Sequence, residues 1–243
     1  IIFTADFLYI QKQINHLNIL RRIIMQKIKG ILFDMDGLMI DTEKWLQKYY
    51  VQAAERLGFP MKPEHVLEIR SLPAEYAVPK LQKLVCPDFD YYAVKNLRKI
   101  YMKEHIERYG LEKKKGLDQL LKYIKECGLK CSVATATAPD RTREYLSKLN
   151  ILEYFDQIVC ASMVKHGKPQ PDIYIEAAHR LSLEPEQCVA LEDSPNGVLA
   201  AVRAGCVTVM VPDLTQPDEE TAKIIYKKAD DLSQVIDIIK DIN

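Results

Sequence analysis

The chain has 243 residues, 48% apolar and 28% charged, enough to bury one sizeable core or a core with a smaller companion. Lys+Arg and Asp+Glu number 34 each, so the formal net charge is zero and the basic excess of a nucleic-acid or anionic-membrane binder is missing. No apolar run approaches the roughly 20 residues of a membrane span, and the six cysteines, without Cys-x-x-Cys spacing, read as reduced thiols of a cytoplasmic protein.

Residues 1–24 stand apart. The segment opens on Ile, is rich in Ile, lacks the small-residue cleavage site of a signal peptide and ends just before Met25, the first methionine. It is expected to be translated upstream sequence, with the natural protein starting at Met25; a genuine amphipathic arm is the rival reading. The first strand is predicted at Lys29–Phe33 and runs into Asp34-Met35-Asp36-Gly37. Residues 43–112 then show no strand pattern. They read as four helices, Glu43–Leu57, Pro63–Ile69, Ala74–Leu84 and Tyr91–Tyr109, split by Gly58-Phe59-Pro60, Pro73 and Cys86-Pro87.

Beyond the insertion, strand and helix alternate. Leu117, Leu120, Leu121 and Ile124 form a helical stripe stopped by Gly128. A strand follows at Lys130–Ala134, then a stripe through Thr142, Tyr145, Leu146 and Leu149, then a strand at Gln157–Cys160. Tyr174, Ala177, Ala178 and Leu181 make the next stripe, after Pro171. The strand at Cys188–Leu191, the stripe Val198, Ala201 and Val202, and the strand at Val207–Val211 complete the pattern. Short strands that are apolar on both faces, separated by amphipathic helices, predict an α/β fold with a Rossmann-like, doubly wound parallel sheet. Residues 25–42 plus 113–243 are assigned to this core and 43–112 to an all-helical cap, placed to act as a lid over the carboxyl ends of the strands.

Those ends collect chemistry. The first strand delivers Asp34 and Asp36, the next Thr135-Ala136-Thr137, the loop beyond the third Lys168 in Gly167-Lys168-Pro169, and the fourth Glu192-Asp193-Ser194. Two carboxylates about 4 Å apart repel by roughly 4 kcal/mol at an effective dielectric near 20, so three or four together require a cation. Hard oxygen donors without a His or Cys cluster point to magnesium rather than zinc. Asp34 and Asp36 can divide the roles of nucleophile and acid/base. Lys168 supplies a second positive charge, and Thr135 and the backbone N–H groups at Ala136 can hold phosphate oxygens. The set suits phosphoryl transfer, which is mainly positioning and charge stabilisation.

Taken in order, Asp34-x-Asp36-Gly37, Thr135, Lys168 in Gly-Lys-Pro and Glu192-Asp193 in Leu-Glu-Asp-Ser-Pro-Asn-Gly resemble the four motifs of the haloacid dehalogenase superfamily. The helical insertion resembles the cap of its β-phosphoglucomutase-like branch. The resemblance implies that Asp34 attacks phosphorus to form an aspartyl-phosphate and that Asp36 acts as general acid and then general base. It implies magnesium on Asp34, the backbone carbonyl of Asp36 and Asp193, with Glu192 direct or through water; otherwise Glu192 orients Lys168. The second aspartate, Asp36, sets the chain apart from the dehalogenase branch, which lacks it, and from the ion-pump ATPases, which carry Thr there.

The true β-phosphoglucomutases carry a His early in the first cap helix and an Arg just past a cap-loop glycine. Here that helix begins Glu43-Lys44-Trp45-Leu46, and the loop reads Glu68-Ile69-Arg70-Ser71-Leu72-Pro73, with Arg70 about where the glycine is expected. Magnesium-dependent hydrolysis of a small, sugar-like phosphomonoester is therefore expected. A phosphomutase is the alternative, and a non-catalytic ligand-binding relative a further one. Arg70 is open to two readings, a solvated cation or a cap-loop group that binds a carboxylate or second phosphate of the substrate. The expected partner is a small-molecule phosphate ester, not nucleic acid or membrane, and a capped protein of this size is expected to work as a monomer.

Overall fold

The computed structural model describes residues 27–243; the reading of residues 1–24 lies outside the described residues. Six strands form one parallel sheet in the order β3-β2-β1-β4-β5-β6: β1 (Gly30–Phe33), β2 (Lys130–Thr135), β3 (Gln157–Cys160), β4 (Cys188–Glu192), β5 (Val207–Met210) and β6 (Lys227–Lys228). Between β1 and β2 come α1 (Glu43–Arg56), α2 (Pro63–Leu67), α3 (Ala74–Leu84), α4 (Tyr91–Tyr109) and α5 (Leu117–Glu126). After β2 come α6 (Pro139–Lys148), α7 (Asp172–Arg180), α8 (Pro195–Ala204), α9 (Glu219–Ile224) and α10 (Val235–Ile242).

Successive side chains of a strand point to opposite faces, so each buried strand feeds two cores. Ile31 and Phe33 of β1 join Val133, Val189, Leu191 and Val209 beneath the apolar stripes of α5 and α10. Leu32, between them, joins Ala134, Val159 and Ala190 beneath Ile173, Tyr174, Ala177 and Ala178 of α7 and Ala200 and Ala201 of α8. The insertion has a core of its own, with Tyr50, Ala53, Ala54, Val66, Ala77, Leu81, Phe89 and Val94 closed together by α1–α4.

Topology places the site. The chain leaves β1 for β2 and β3 on one side of the sheet, then returns to β4 on the other. The carboxyl ends of β1 and β4 therefore flank the point where the winding reverses, the crevice in which open α/β sheets bind ligands. Differences from the sequence reading are local. Helices α1 and α2 end one and two residues early, at Arg56 and Leu67, and β2 and β4 each run one residue further, to Thr135 and Glu192. Strand β6 has no sequence signature: it is two exposed lysines, paired to β5 through Val209 and Met210. All six cysteines are free, and four of them are buried.

The two-core arrangement sets a stability contrast. Leu120→Ala, at a fully buried position of α5, is expected to cost about 2–5 kcal/mol in urea unfolding. Tyr92→Ala, on the 62% exposed side chain of α4, should fall within about 0.5 kcal/mol. Equal losses would contradict the placement of α5 against the sheet.

Candidate active site

The ladder between β1 and β4 continues one residue past β1: the Asp34 N–H donates to the Leu191 carbonyl at 3.0 Å. This fixes Asp34 at the tip of the strand. Met35 turns into the core, and Asp36 returns to the cleft. Gly37 follows at φ +86°, and a Cβ there would lie 2.2 Å from Asp193 Oδ2. Glycine is thus required twice at this position, for its backbone conformation and for the space that Asp193 occupies.

Lys168 enters from the loop between β3 and α7, with its side chain 1% exposed. An ammonium has three N–H donors, and each has an acceptor: Asp34 Oδ1 at 2.5 Å, Glu192 Oε1 at 2.6 Å and the Ala134 carbonyl at 3.1 Å. Glu192 is equally committed. Its Oε1 also accepts from the Tyr174 hydroxyl at 2.5 Å, and its Oε2 accepts from the Asp193 N–H at 3.2 Å and the Ser194 hydroxyl at 3.3 Å. The Asp36 carboxylate stands apart from this cluster. Its Oδ1 accepts from the Thr42 hydroxyl at 2.8 Å and its Oδ2 from the Thr137 hydroxyl at 2.6 Å. Thr137 in turn donates its N–H to Thr135 Oγ1 at 3.0 Å.

Arg70 reaches from the insertion into the core. Its guanidinium donates to Glu43 Oε2 at 3.1 Å, to the Thr215 hydroxyl at 3.2 Å and to Asp193 Oδ2, while its own carbonyl accepts from the Asn196 side chain at 2.9 Å. It is 6% exposed, so it is not a solvated cation. The left-handed position in this loop, where a glycine would be favoured, is Ser71 at φ 59° rather than Arg70.

The electrostatics follow from burial. Desolvation, with the Glu192 and Asp36 carboxylates adding to it and Lys168 opposing, pushes Asp34 up to about 8. Burial likewise raises Asp193 well above the carboxylate range, against the pull of Arg70. Despite its own burial, Lys168 is held above the ordinary lysine value by Asp34 and Glu192. Asp34, Glu192 and Asp193 are all buried and offer oxygens within 4.8 Å of one another. Three hard-oxygen ligands this close fit a small divalent cation. The Asp36 carboxylate is not in this group, leaving its backbone carbonyl as the donor that residue could offer.

A cavity of about 710 Å³ opens between core and insertion, lined on the core side by Asp34, Asp36, Thr135, Ala136 and Thr137, and by Arg70 from the insertion. Lys168, Glu192 and Asp193 lie behind Asp34 rather than on this wall. Sequence reasoning missed the parts of Thr42, Tyr174 and Glu43. Thr42 holds the N-cap position of α1 yet makes no cap bond, because its hydroxyl is on Asp36. Tyr174 read only as one member of a helical stripe.

Gly197 shows how tightly the cluster is built. It lies within α8, yet a Cβ there would come 2.0 Å from the Glu192 carboxylate. Helix propensity alone favours Gly197→Ala by roughly 0.8–1.0 kcal/mol. The clash is expected to outweigh this and lower stability by about 1–3 kcal/mol in denaturant unfolding; a net gain would show that Glu192 has room to move.

Residues 31–211 match the family model described as haloacid dehalogenase-like hydrolase. The chain is 33% identical over 181 residues to a phosphorylated carbohydrates phosphatase of Thermotoga maritima, covering 73% of this chain and 82% of that protein. It is 30% identical over 187 residues to hexitol phosphatase A of Escherichia coli K12, covering 76% and 83%. Among solved structures, a β-phosphoglucomutase of Clostridium difficile superimposes with a TM-score of 0.74 over 88% of this chain and 96% of that one, at 20% identity, a likeness of fold. Matched along most of its length, with the four motif segments gathered at one sheet edge, the chain belongs to the haloacid dehalogenase-like hydrolase family.

Proposed function

We propose that this chain is a magnesium-dependent phosphatase that hydrolyses a small, sugar-like phosphomonoester through a phosphoaspartate on Asp34. The observation that carries the reading is the ammonium of Lys168 shared between Asp34 and Glu192, with Asp193 in the same buried cluster and Asp36 on the same cavity wall. The names of the two relatives, one for phosphorylated carbohydrates and one for hexitols, support the sugar-like leaving group.

Asp34, Asp193 and the backbone carbonyl of Asp36 would hold the magnesium ion, with Glu192 completing the negative charge around it. When bound, the ion supplies positive charge that lets an anionic carboxylate approach a phosphate dianion. The chain's own residues do the rest. A carboxylate oxygen of Asp34 bonds to phosphorus as the P–O bond to the leaving group breaks. Asp36 gives its proton to the departing alkoxide oxygen. Asp36 then takes a proton from the attacking water, whose oxygen bonds to phosphorus as the bond to Asp34 breaks, and inorganic phosphate leaves. Thr42 and Thr137 fix the aim of Asp36. Thr135, whose oxygen accepts from Thr137, keeps its hydroxyl proton for a phosphate oxygen, beside the N–H groups at Ala136. The first insertion helix carries no His, and Arg70 is engaged by Glu43, Thr215 and Asp193. Both features support water over a second sugar hydroxyl as acceptor.

The test is a panel of phosphorylated metabolites with magnesium, using Asp34→Asn as blank. Wild type is expected to turn over sugar phosphates, and Asp34→Asn to lose about 10³-fold or more in kcat. Chelation should abolish turnover. Activity surviving in Asp34→Asn, or no turnover of any ester, would overturn the proposal. A second expectation concerns protons. A carboxyl pushed up to about 8 is largely protonated at pH 7, and a cation binds only its anion. Magnesium binding at pH 7 should therefore release protons, and affinity should rise with pH up to about 8. Calorimetry in buffers of different ionisation enthalpy measures this, and binding without proton release would contradict it.

A further inference from the structure

One part of the cavity wall is basic, and among the described residues its cations have no carboxylate partner. Arg98, on α4, is 8% exposed and lines the cavity, with its guanidinium 4.7 Å from the centre of the Tyr50 ring. Among the described residues its Nε has no hydrogen-bond partner. A buried guanidinium nitrogen without an acceptor is costly in a folded protein and calls for an explanation. Lys95 and Lys99 lie on the same helix, and Arg141 faces them from α6 of the core; all three line the same cavity. Lys99 is held below the ordinary lysine value by partial burial and by Lys95, Arg141 and Arg98, as expected where cations crowd together.

Among the described residues none of these four cations makes a salt bridge. The carboxylates on the same wall are already matched: Glu107 with Lys103 at 3.7 Å, and Glu144 with Lys148 at 2.7 Å. Glu43, which also faces Arg98, is taken by Arg70. The cluster adjoins the leaving-group side of the site. The phenol of Tyr145, itself on the cavity wall, has Asp36, Arg141, Glu144 and Arg98 as charged neighbours. Asp36 is the group that would protonate the leaving oxygen.

Resting on the phosphatase reading above, we propose that Arg98, with Lys95, Lys99 and Arg141, forms a second anion subsite. The substrate is then a phosphomonoester whose leaving group carries a further anionic group, a phosphate or a carboxylate. The cavity, at about 710 Å³, is within the range of small-molecule sites and has room for a sugar between the two ends. Arg70 does not fill this role, because its guanidinium is bound to Glu43, Thr215 and Asp193.

Two matched pairs test this: glucose 6-phosphate against glucose 1,6-bisphosphate, and glycerol 3-phosphate against 3-phosphoglycerate. Each is measured as kcat/KM with wild type and as calorimetric affinity for the Asp34→Asn protein. The second anion is expected to improve both readouts by about tenfold or more, as a charge-assisted pair does. Preference in the first pair alone assigns a phosphate, and preference in both assigns anions generally. Arg98→Gln should collapse the preference to within about threefold. Lys99→Gln, at an exposed position that carries no folding risk, should reduce it in the same direction. Equal treatment of both members of each pair, or a preference that survives both substitutions, would overturn the subsite while leaving the phosphatase reading intact. If no ester is turned over, that reading fails, and affinities for Asp34→Asn still decide the subsite.

Discussion

The ammonium of Lys168 is the contact on which the site depends. Three carboxylates, Asp34, Glu192 and Asp193, are buried within reach of one another, and their mutual repulsion in a poorly solvated interior would drive them apart or protonate them. Lys168 bonds to two of them and to the Ala134 carbonyl, leaving no N–H unused. A buried ion group of this kind need not stabilise the fold compared with apolar packing. Removing one partner, however, leaves an uncompensated charge at a cost of about 3–5 kcal/mol. The arrangement therefore locks geometry more than it adds stability, and the core beneath, closed by the paired ends of β1 and β4, bears the energetic load.

Everything around the cluster defends its shape. Gly37 and Gly197 leave the volume that Asp193 and Glu192 occupy. Tyr174, itself fully buried in the apolar layer under α7, turns its hydroxyl to Glu192 and ties the packing of that layer to the aim of Lys168. Each bond is short-range, yet together they carry the constraint from the sheet to the helices that cover it. The cavity above has two electrostatic ends, an acidic one at Asp34 and Asp36 beyond β1 and a basic one on α4 and α6. A ligand with one anion held by the cations on α4 and α6 would be oriented, with its reacting phosphate toward Asp34, before any bond breaks.

Much of this was legible in the sequence because the signals are local and periodic. Ile31-Leu32-Phe33 before Asp34 announces a buried strand with a carboxylate at its tip, and the stripe Leu117, Leu120, Leu121, Ile124 announces the helix beneath it. The four motif segments could be assigned to one edge because parallel strands finish on one side. What was not legible depended on long-range approach. Nothing in Glu43 or Arg70 alone reveals that they meet, since 27 residues and two helices separate them. Nothing local in Thr42 marks it for the site, and only the fold turns its hydroxyl to Asp36. Strand β6 has no apolar pattern because its pairing is with one edge only, in full contact with water.

Thr42 has a wider consequence. It is the residue immediately before α1, so it belongs to the joint by which the helical insertion is attached, and it also holds one oxygen of Asp36. A swing of the insertion about this joint would carry the threonine hydroxyl with it and release the carboxyl group from half of its clamp. If Asp36 is the proton donor proposed above, delivery would be geared to closure: an open insertion would leave the donor loosely aimed, and a shut one would restore both of its restraints. On that reading, this single hydroxyl would couple the aim of the carboxyl group to the position of the insertion.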